Sequence, residues 1–213
     1  MTIKERHYLN CRFKFVLCCT ILLITSAGTY AQRLGVKAGY IADFSGISYP
    51  GINASSNDGF QVGVESDIPF RHAGIGIKTG LLYVNRGFKL TEDYSNGSGV
   101  TFYFRTNNVE LPVVLYKEFN LLSLKAYAKG GLYTSYILSG KIRDGISSGT
   151  LDLNGNARFD YGIVLGLGIK ILPNLVFDID FNHGLKNKKY KFGDNTISEK
   201  NSRIAFSMIY YPF

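Results

Sequence analysis

Beyond residue 31, apolar and polar side chains alternate along most of the chain. In 35–44, Val36, Ala38, Tyr40, Ala42 and Phe44 share one parity, and Lys37, Gly39 and Asp43 the other. A period of two is the signature of a strand with two unlike faces. The pattern recurs in 60–68, where Phe60, Val62 and Val64 oppose Gln61, Glu65 and Asp67. It recurs again in 74–88, 101–119, 123–138, 158–171, 175–185 and 202–213. These make eight candidate strands. No helix-period stretch and no repeat of solenoid length interrupts them.

The segments between the strands alternate in length. Long polar connections are expected at 45–59, 90–100, 139–157 and 184–201, and short ones at 69–73, 120–122 and 172–174. Long loops at one end and tight turns at the other are the habit of outer-membrane barrels. An even strand count puts both termini at the tight-turn end, so the four long loops would face outside. Several candidates reach ten residues or more, enough to cross a bilayer at a tilt. The expected fold is therefore all-β: an eight-stranded antiparallel up-and-down transmembrane β-barrel. Pro112 cannot donate to a ladder and marks an expected irregularity. The last strand, apolar on both faces, is a second.

One parity is apolar on every strand. The other collects Lys37, Asp43, Glu65, Asp67, Lys78, Arg86, Glu110, Lys125, Lys129, Lys170, Asp178, Asp180 and Arg203, seven basic and six acidic. In a membrane barrel the apolar face meets lipid and this face lines the interior. Eight strands leave room for side chains and little else. The near-balanced charges are expected to pair across the lumen, because a buried charge is tolerated only when paired and hydrogen-bonded. Glycines of the same parity (Gly39, Gly63, Gly76, Gly80, Gly162, Gly166, Gly168) would make room for Lys and Arg stems. A soluble lipocalin-like ligand-binding barrel, apolar inside and charged outside, has the same period. Loop asymmetry, aromatics near strand ends (Tyr40, Phe44, Phe60, Phe70, Phe119, Tyr136, Tyr161, Phe181) and the C-terminus favour the membrane form.

The N-terminus adds a route to that membrane. A basic stretch from Lys4 to Lys14 precedes the apolar run Phe15-Val-Leu-Cys-Cys-Thr-Ile-Leu-Leu-Ile24. Thr29 and Ala31 stand at −3 and −1 of a cut before Gln32. This reads as a cleaved signal peptide over 1–31, leaving a barrel domain over 32–213. The apolar run is too short for a transmembrane helix. All three cysteines (Cys11, Cys18, Cys19) lie in the signal, so the mature chain has no disulfide, thiolate metal site or cysteine nucleophile. Of the net charge of +8, +3 belongs to the signal; the remaining +5, from 20 basic and 15 acidic residues, is too scattered to imply nucleic acid.

The chain ends Ile209-Tyr-Tyr-Pro-Phe213. A final aromatic strand ending on Phe resembles the assembly signal of bacterial outer-membrane proteins. Together with Leu34-Gly-Val-Lys-Ala-Gly-Tyr40, Val109-Glu-Leu-Pro-Val-Val-Leu115 and the Ala31-Gln32 junction, it makes the chain similar to the PorT-like family of small outer-membrane β-barrel proteins. That resemblance implies a barrel in the cell outer membrane and an association with protein secretion.

Catalytic readings are weak. The mature chain has only His72, in a tight turn, and His183. His183 shares the parity of Phe181 and so points away from Asp178 and Asp180, which are expected to neutralise lumen lysines. Gly162-x-x-x-Gly166-x-Gly168 lies inside a strand, the wrong context for a phosphate loop. Asp58-Gly59 and Asn96-Gly97 read as turns, and Asp152-Leu-Asn-Gly-Asn156 lacks the terminal Glu of a calcium loop. The Lys186-Asn-Lys-Lys-Tyr-Lys191 run is expected in the last long loop, where it could meet anionic lipid or polysaccharide. The expectation is a non-enzymatic barrel without cofactor or metal. It would have a structural or interaction role, with outer-membrane lipid around it and a protein or surface glycan at its loops. A narrow passive pore and an outer-membrane hydrolase are the alternatives.

Overall fold

The computed structural model describes residues 32–44, 46–48, 53–70, 74–93, 99–121, 124–143, 148–150, 158–192 and 195–212. The expected signal peptide, His72, Asn96-Gly97, Asp152 to Asn156 and Phe213 lie outside these residues.

Eight long strands form a closed antiparallel ring: β1 (Arg33–Asp43), β3 (Asn53–Phe70), β4 (Ile75–Asp93), β5 (Gly99–Leu121), β6 (Leu124–Arg143), β8 (Phe159–Leu172), β9 (Leu175–Phe192) and β10 (Asn195–Tyr210). Each pairs with its sequence neighbours, and β1 pairs with β10 from Val36↔Tyr210 to Asp43↔Arg203, which closes the ring. Closure removes the edges that lipid could not satisfy. Two three-residue strands lie beyond the ring proper: β2 (Gly46–Ser48) on β10, and β7 (Ser148–Thr150) on β6.

The tight connections fall where the spacing predicts them, as at the Pro173-Asn174 turn between β8 and β9. The long ones do not remain loops. β4 and β5 stay paired out to Asp93↔Gly99, and β9 and β10 out to Phe192↔Asn195. Most of 184–201 is thus a hairpin, and the Lys186–Lys191 run lies on β9 rather than in a loop. The tight-turn end is called the turn end below, and the other the hairpin end.

Asp58-Gly59 is likewise no turn: Gly59 sits in β3 opposite Ile41, beside a bulge between Asn57 and Phe60. At Pro112 the β4–β5 ladder lapses between Thr79↔Val113 and Leu82↔Glu110, but the register is the same on both sides. The shift in β5 falls instead between Asn107 and Asn108. In the last strand Arg203, Ala205, Ser207 and Ile209 are all buried, so its alternation is regular despite the apolar sequence.

Candidate functional site in the lumen

Burial decides which face is inside. Leu132, Leu165, Leu167 and Leu115 are more than half exposed, as are Leu34, Val36, Leu81 and Leu172. Lys37, Lys78, Glu110, Asp178 and Arg203 are 3% exposed or less. A soluble barrel would show the reverse, because exposed apolar area costs about 25 cal/mol per Å² in water. The lipocalin-like alternative is therefore excluded. The outer face suits lipid, with aromatic rings at its margins: Phe44 stacks on Phe181 at 6.1 Å, and Phe60 lies 6.1 Å from Tyr83.

The interior holds two ionic clusters. In the turn-side half, Lys37 Nζ lies 3.0 Å from Asp180 and 3.3 Å from both Glu65 and Asp178. Lys129 contacts Asp178 and lies 2.8 Å from Asp180. Lys78 bridges Glu65 at 3.0 Å and Asp67 at 3.6 Å. Tyrosines complete the shell. Tyr211 Oη accepts from Lys78 and donates to Glu65, both at 2.7 Å. Tyr116 donates to Asp67 at 2.8 Å, and Tyr127 donates to Asp178. Each lysine thus has at least two carboxylates, which is what makes a dry charge tolerable.

In the hairpin-side half, Arg203 pairs with Glu110, whose carboxylate also accepts from Asn182 at 3.4 Å. Arg86 lies 3.6 Å from Asp43 and donates to Asn201 at 2.8 Å. Asn201 in turn donates to Tyr133 at 3.0 Å and to Asp160 at 3.3 Å. Between the halves lies a cavity of about 20 Å³, lined by Lys37, Glu65, Lys129, Glu110, Asp180 and Asn182 among others. That is room for about one water.

Tyrosines, more often than lysine stems, occupy the space that interior glycines leave. A Cβ on Gly168 would fall 2.2 Å from the Tyr127 ring, on Gly162 2.5 Å from Tyr133, and on Gly76 2.6 Å from the ring carbons of Tyr116. These pairs sit opposite each other in register. Among the glycines expected to clear Lys and Arg stems, Gly166 does so, under Lys129 Cε at 2.7 Å. At Gly63 and Gly80 a Cβ would strike the neighbouring backbone, and at Gly39 the Ser207 side chain.

A closed ring with a charged, filled interior and an apolar outside is the architecture of a membrane barrel. A family model, the outer membrane protein beta-barrel domain, matches residues 30–190, well over half of the chain. The chain belongs to this family. It is an outer-membrane barrel, and its localisation is the outer membrane. No curated protein matches it by sequence. Similar solved structures include OprG from Pseudomonas aeruginosa (12% identity, 86% of this chain and 97% of that one, TM-score 0.48). Neisserial surface protein A is another (12% identity, 85% and 99%, TM-score 0.45), as is the attachment invasion locus protein Ail of Yersinia pestis (14% identity, 84% and 99%, TM-score 0.36).

Of the thirteen charged residues expected to line the barrel, the structure buries Lys37, Asp43, Glu65, Asp67, Lys78, Arg86, Glu110, Lys129, Asp178, Asp180 and Arg203. Lys125 has the inward parity but stands next to the Leu121/Leu124 turn and is exposed. Lys170 is half-buried near the turn end, where it pairs with Glu118. The sequence reading placed Asn182 on the inward face but missed Asp160 and Asn201 as polar interior groups, and Leu82, Val84, Val114, Val164 and Val176 as apolar ones. Parity would have found Asp160, two residues before Gly162 on the same face. His183 keeps to the outer face: its Nδ1 is 2.9 Å from Ser202 Oγ and its ring stacks on Phe181 at 6.2 Å. It meets neither Asp178 nor Asp180 in any hydrogen bond or ion pair among the described residues.

Proposed function

We propose that this barrel is a closed scaffold whose lumen braces the wall, and that its function is carried by the hairpin end, which faces the outside. In this reading the interior charges form a structural network, not a conduit or a catalytic centre. The observation that carries it is the packing. Five cations and seven carboxylates, interleaved with tyrosines, pack the interior around a cavity of about 20 Å³. An ion would have to break several buried pairs to pass, each worth about 3–5 kcal/mol when one partner is lost. The strands continue beyond the ring as paired hairpins, a surface for a protein or glycan partner. The PorT-like resemblance of Leu34 to Tyr40 and Val109 to Leu115 supports a partner involved in protein secretion. Residues 1–31 act as the export signal and are removed.

Planar-bilayer recording tests the brace: a flat baseline is expected, and stepwise single-channel conductance would overturn it. Intact-mass spectrometry of the purified protein should fit a chain that begins at Gln32. The mature chain then has no cysteine, so Asn96→Cys gives a single thiol. A membrane-impermeant maleimide should label it in intact cells. Labelling only after the outer membrane is opened would reverse the orientation.

A further inference from the structure

On the outer face of β4, β5 and β6 the side chains change character row by row toward the hairpin end. Tyr83, Val109 and Tyr136 lie side by side in register. The next row is Asn85, which is buried, with Asn107 and Ser139, which are half-buried, joined by side-chain hydrogen bonds of 2.6 and 2.9 Å. Arg105 then stands directly opposite Lys141, and one row further Tyr103 stands between Lys89 and Arg143. Arg105, Lys141, Tyr103 and Arg143 are exposed, while Phe104 and Thr106 between them are buried, so all four point outward. Lys89 Nζ lies 5.5 Å from the centre of the Tyr103 ring.

Strand spacings put the four cations within an area of roughly 10 by 7 Å. No carboxylate stands in either row, and among the described residues none of the four has an ion pair. Like charges directly opposite on one face repel. The order aromatic, amide, cation follows the passage from hydrocarbon through the interface to the headgroups. Four residues of tilted strand separate the Tyr136 level from Arg105, a rise of roughly 10 Å. That height is the headgroup layer of the leaflet around the hairpin end.

We infer that Lys89, Arg105, Lys141 and Arg143 form a binding site for the phosphates of a phosphorylated outer-leaflet glycolipid. A phosphate monoester supplies negative charge to these cations, and the Arg forks can hold its oxygens in pairs. The acyl chains then lie along Leu132, Leu138 and Val113, all exposed below. The choice of leaflet rests on the orientation proposed above. Binding itself does not.

The test is native mass spectrometry of detergent-purified barrel titrated with diphosphoryl lipid A. The wild type should retain the lipid, and its affinity should fall about fivefold for each cation changed to Gln. Arg105→Lys should retain most of it, and Lys188→Gln with Lys189→Gln, on the β9–β10 hairpin, should leave it unchanged. Equal retention of dephosphorylated lipid A would overturn the site in favour of the apolar belt alone, without recourse to a variant. Equal competition by inorganic phosphate would reduce it to a free-anion site. Undiminished binding by the quadruple variant would refute it. Should that variant fail to fold, Arg105→Gln alone carries the comparison. A failed Asn96→Cys labelling with intact lipid retention would keep the phosphate site but move it to the inner leaflet, which overturns the outer-leaflet glycolipid as its occupant.

Discussion

In the turn-side half of the lumen three lysines meet four carboxylates; in the hairpin-side half two arginines meet three. The first group is cross-braced. Lys37 touches Glu65, Asp178 and Asp180 on two other strands, and Tyr211, Tyr116 and Tyr127 close its remaining valences. In the second group Arg203 has a single carboxylate and amides fill the gaps. Among the described residues, buried atoms without a protein hydrogen-bond partner gather there, including Asn108 Oδ1, Glu110 Oε2, Asn182 Oδ1 and Arg203 Nε. A compact ammonium can be caged by several carboxylates, whereas a planar guanidinium works best with one aligned partner. Rigidity should therefore be greatest near the termini and least under the hairpins.

Lys37→Met is the most severe test. It leaves the four turn-side carboxylates with only Lys78 and Lys129 and should destabilise the barrel by about 4 kcal/mol, read as a urea midpoint shift in bilayers. Arg203→Met should cost about 3 kcal/mol, because Asn182 still serves Glu110. If Arg203→Met proved the costlier, the contrast between the halves would be reversed. Gly168→Ala drives a methyl into the Tyr127 ring and should cost about 2 kcal/mol; heat-modified gel mobility at rising temperature would report it. An unchanged melting point would mean that the tyrosines merely fill space. His183→Ala, on the lipid side, should stay within about 0.5 kcal/mol in the same assay. A larger loss would give the Ser202 contact a weight that the outer face does not otherwise suggest.

The ring, its tight turns and most of the buried charges were legible because a wall with lipid on one side and charge on the other must alternate. Lys37, Glu65, Lys78 and Asp178 follow from parity alone. Where both faces are apolar, parity names no inside: Val114, Val164 and Val176 look like lipid-facing residues until the register assigns them. The hairpins were misread as loops for a related reason. Beyond the bilayer a strand has water on both faces, so a segment such as 184–201 loses its period of two and looks like a polar linker. Lys125 shows the limit at the other end, where a long side chain beside a turn escapes its own parity. Which carboxylate meets which lysine was not readable, since Lys37 and Asp178 are 141 residues apart.

That separation also governs how the barrel can be made. β1 finds its second partner only in β10, and Lys37 finds its carboxylates only once β3 beside it and β9 beyond β10 are in place. Until the last strand has arrived, the first carries an ammonium with no counter-charge on one side and an open backbone edge. Neither can enter hydrocarbon alone. The unaided chain cannot thread into the bilayer strand by strand. Unaided, it has to complete its wall and its wiring in one event.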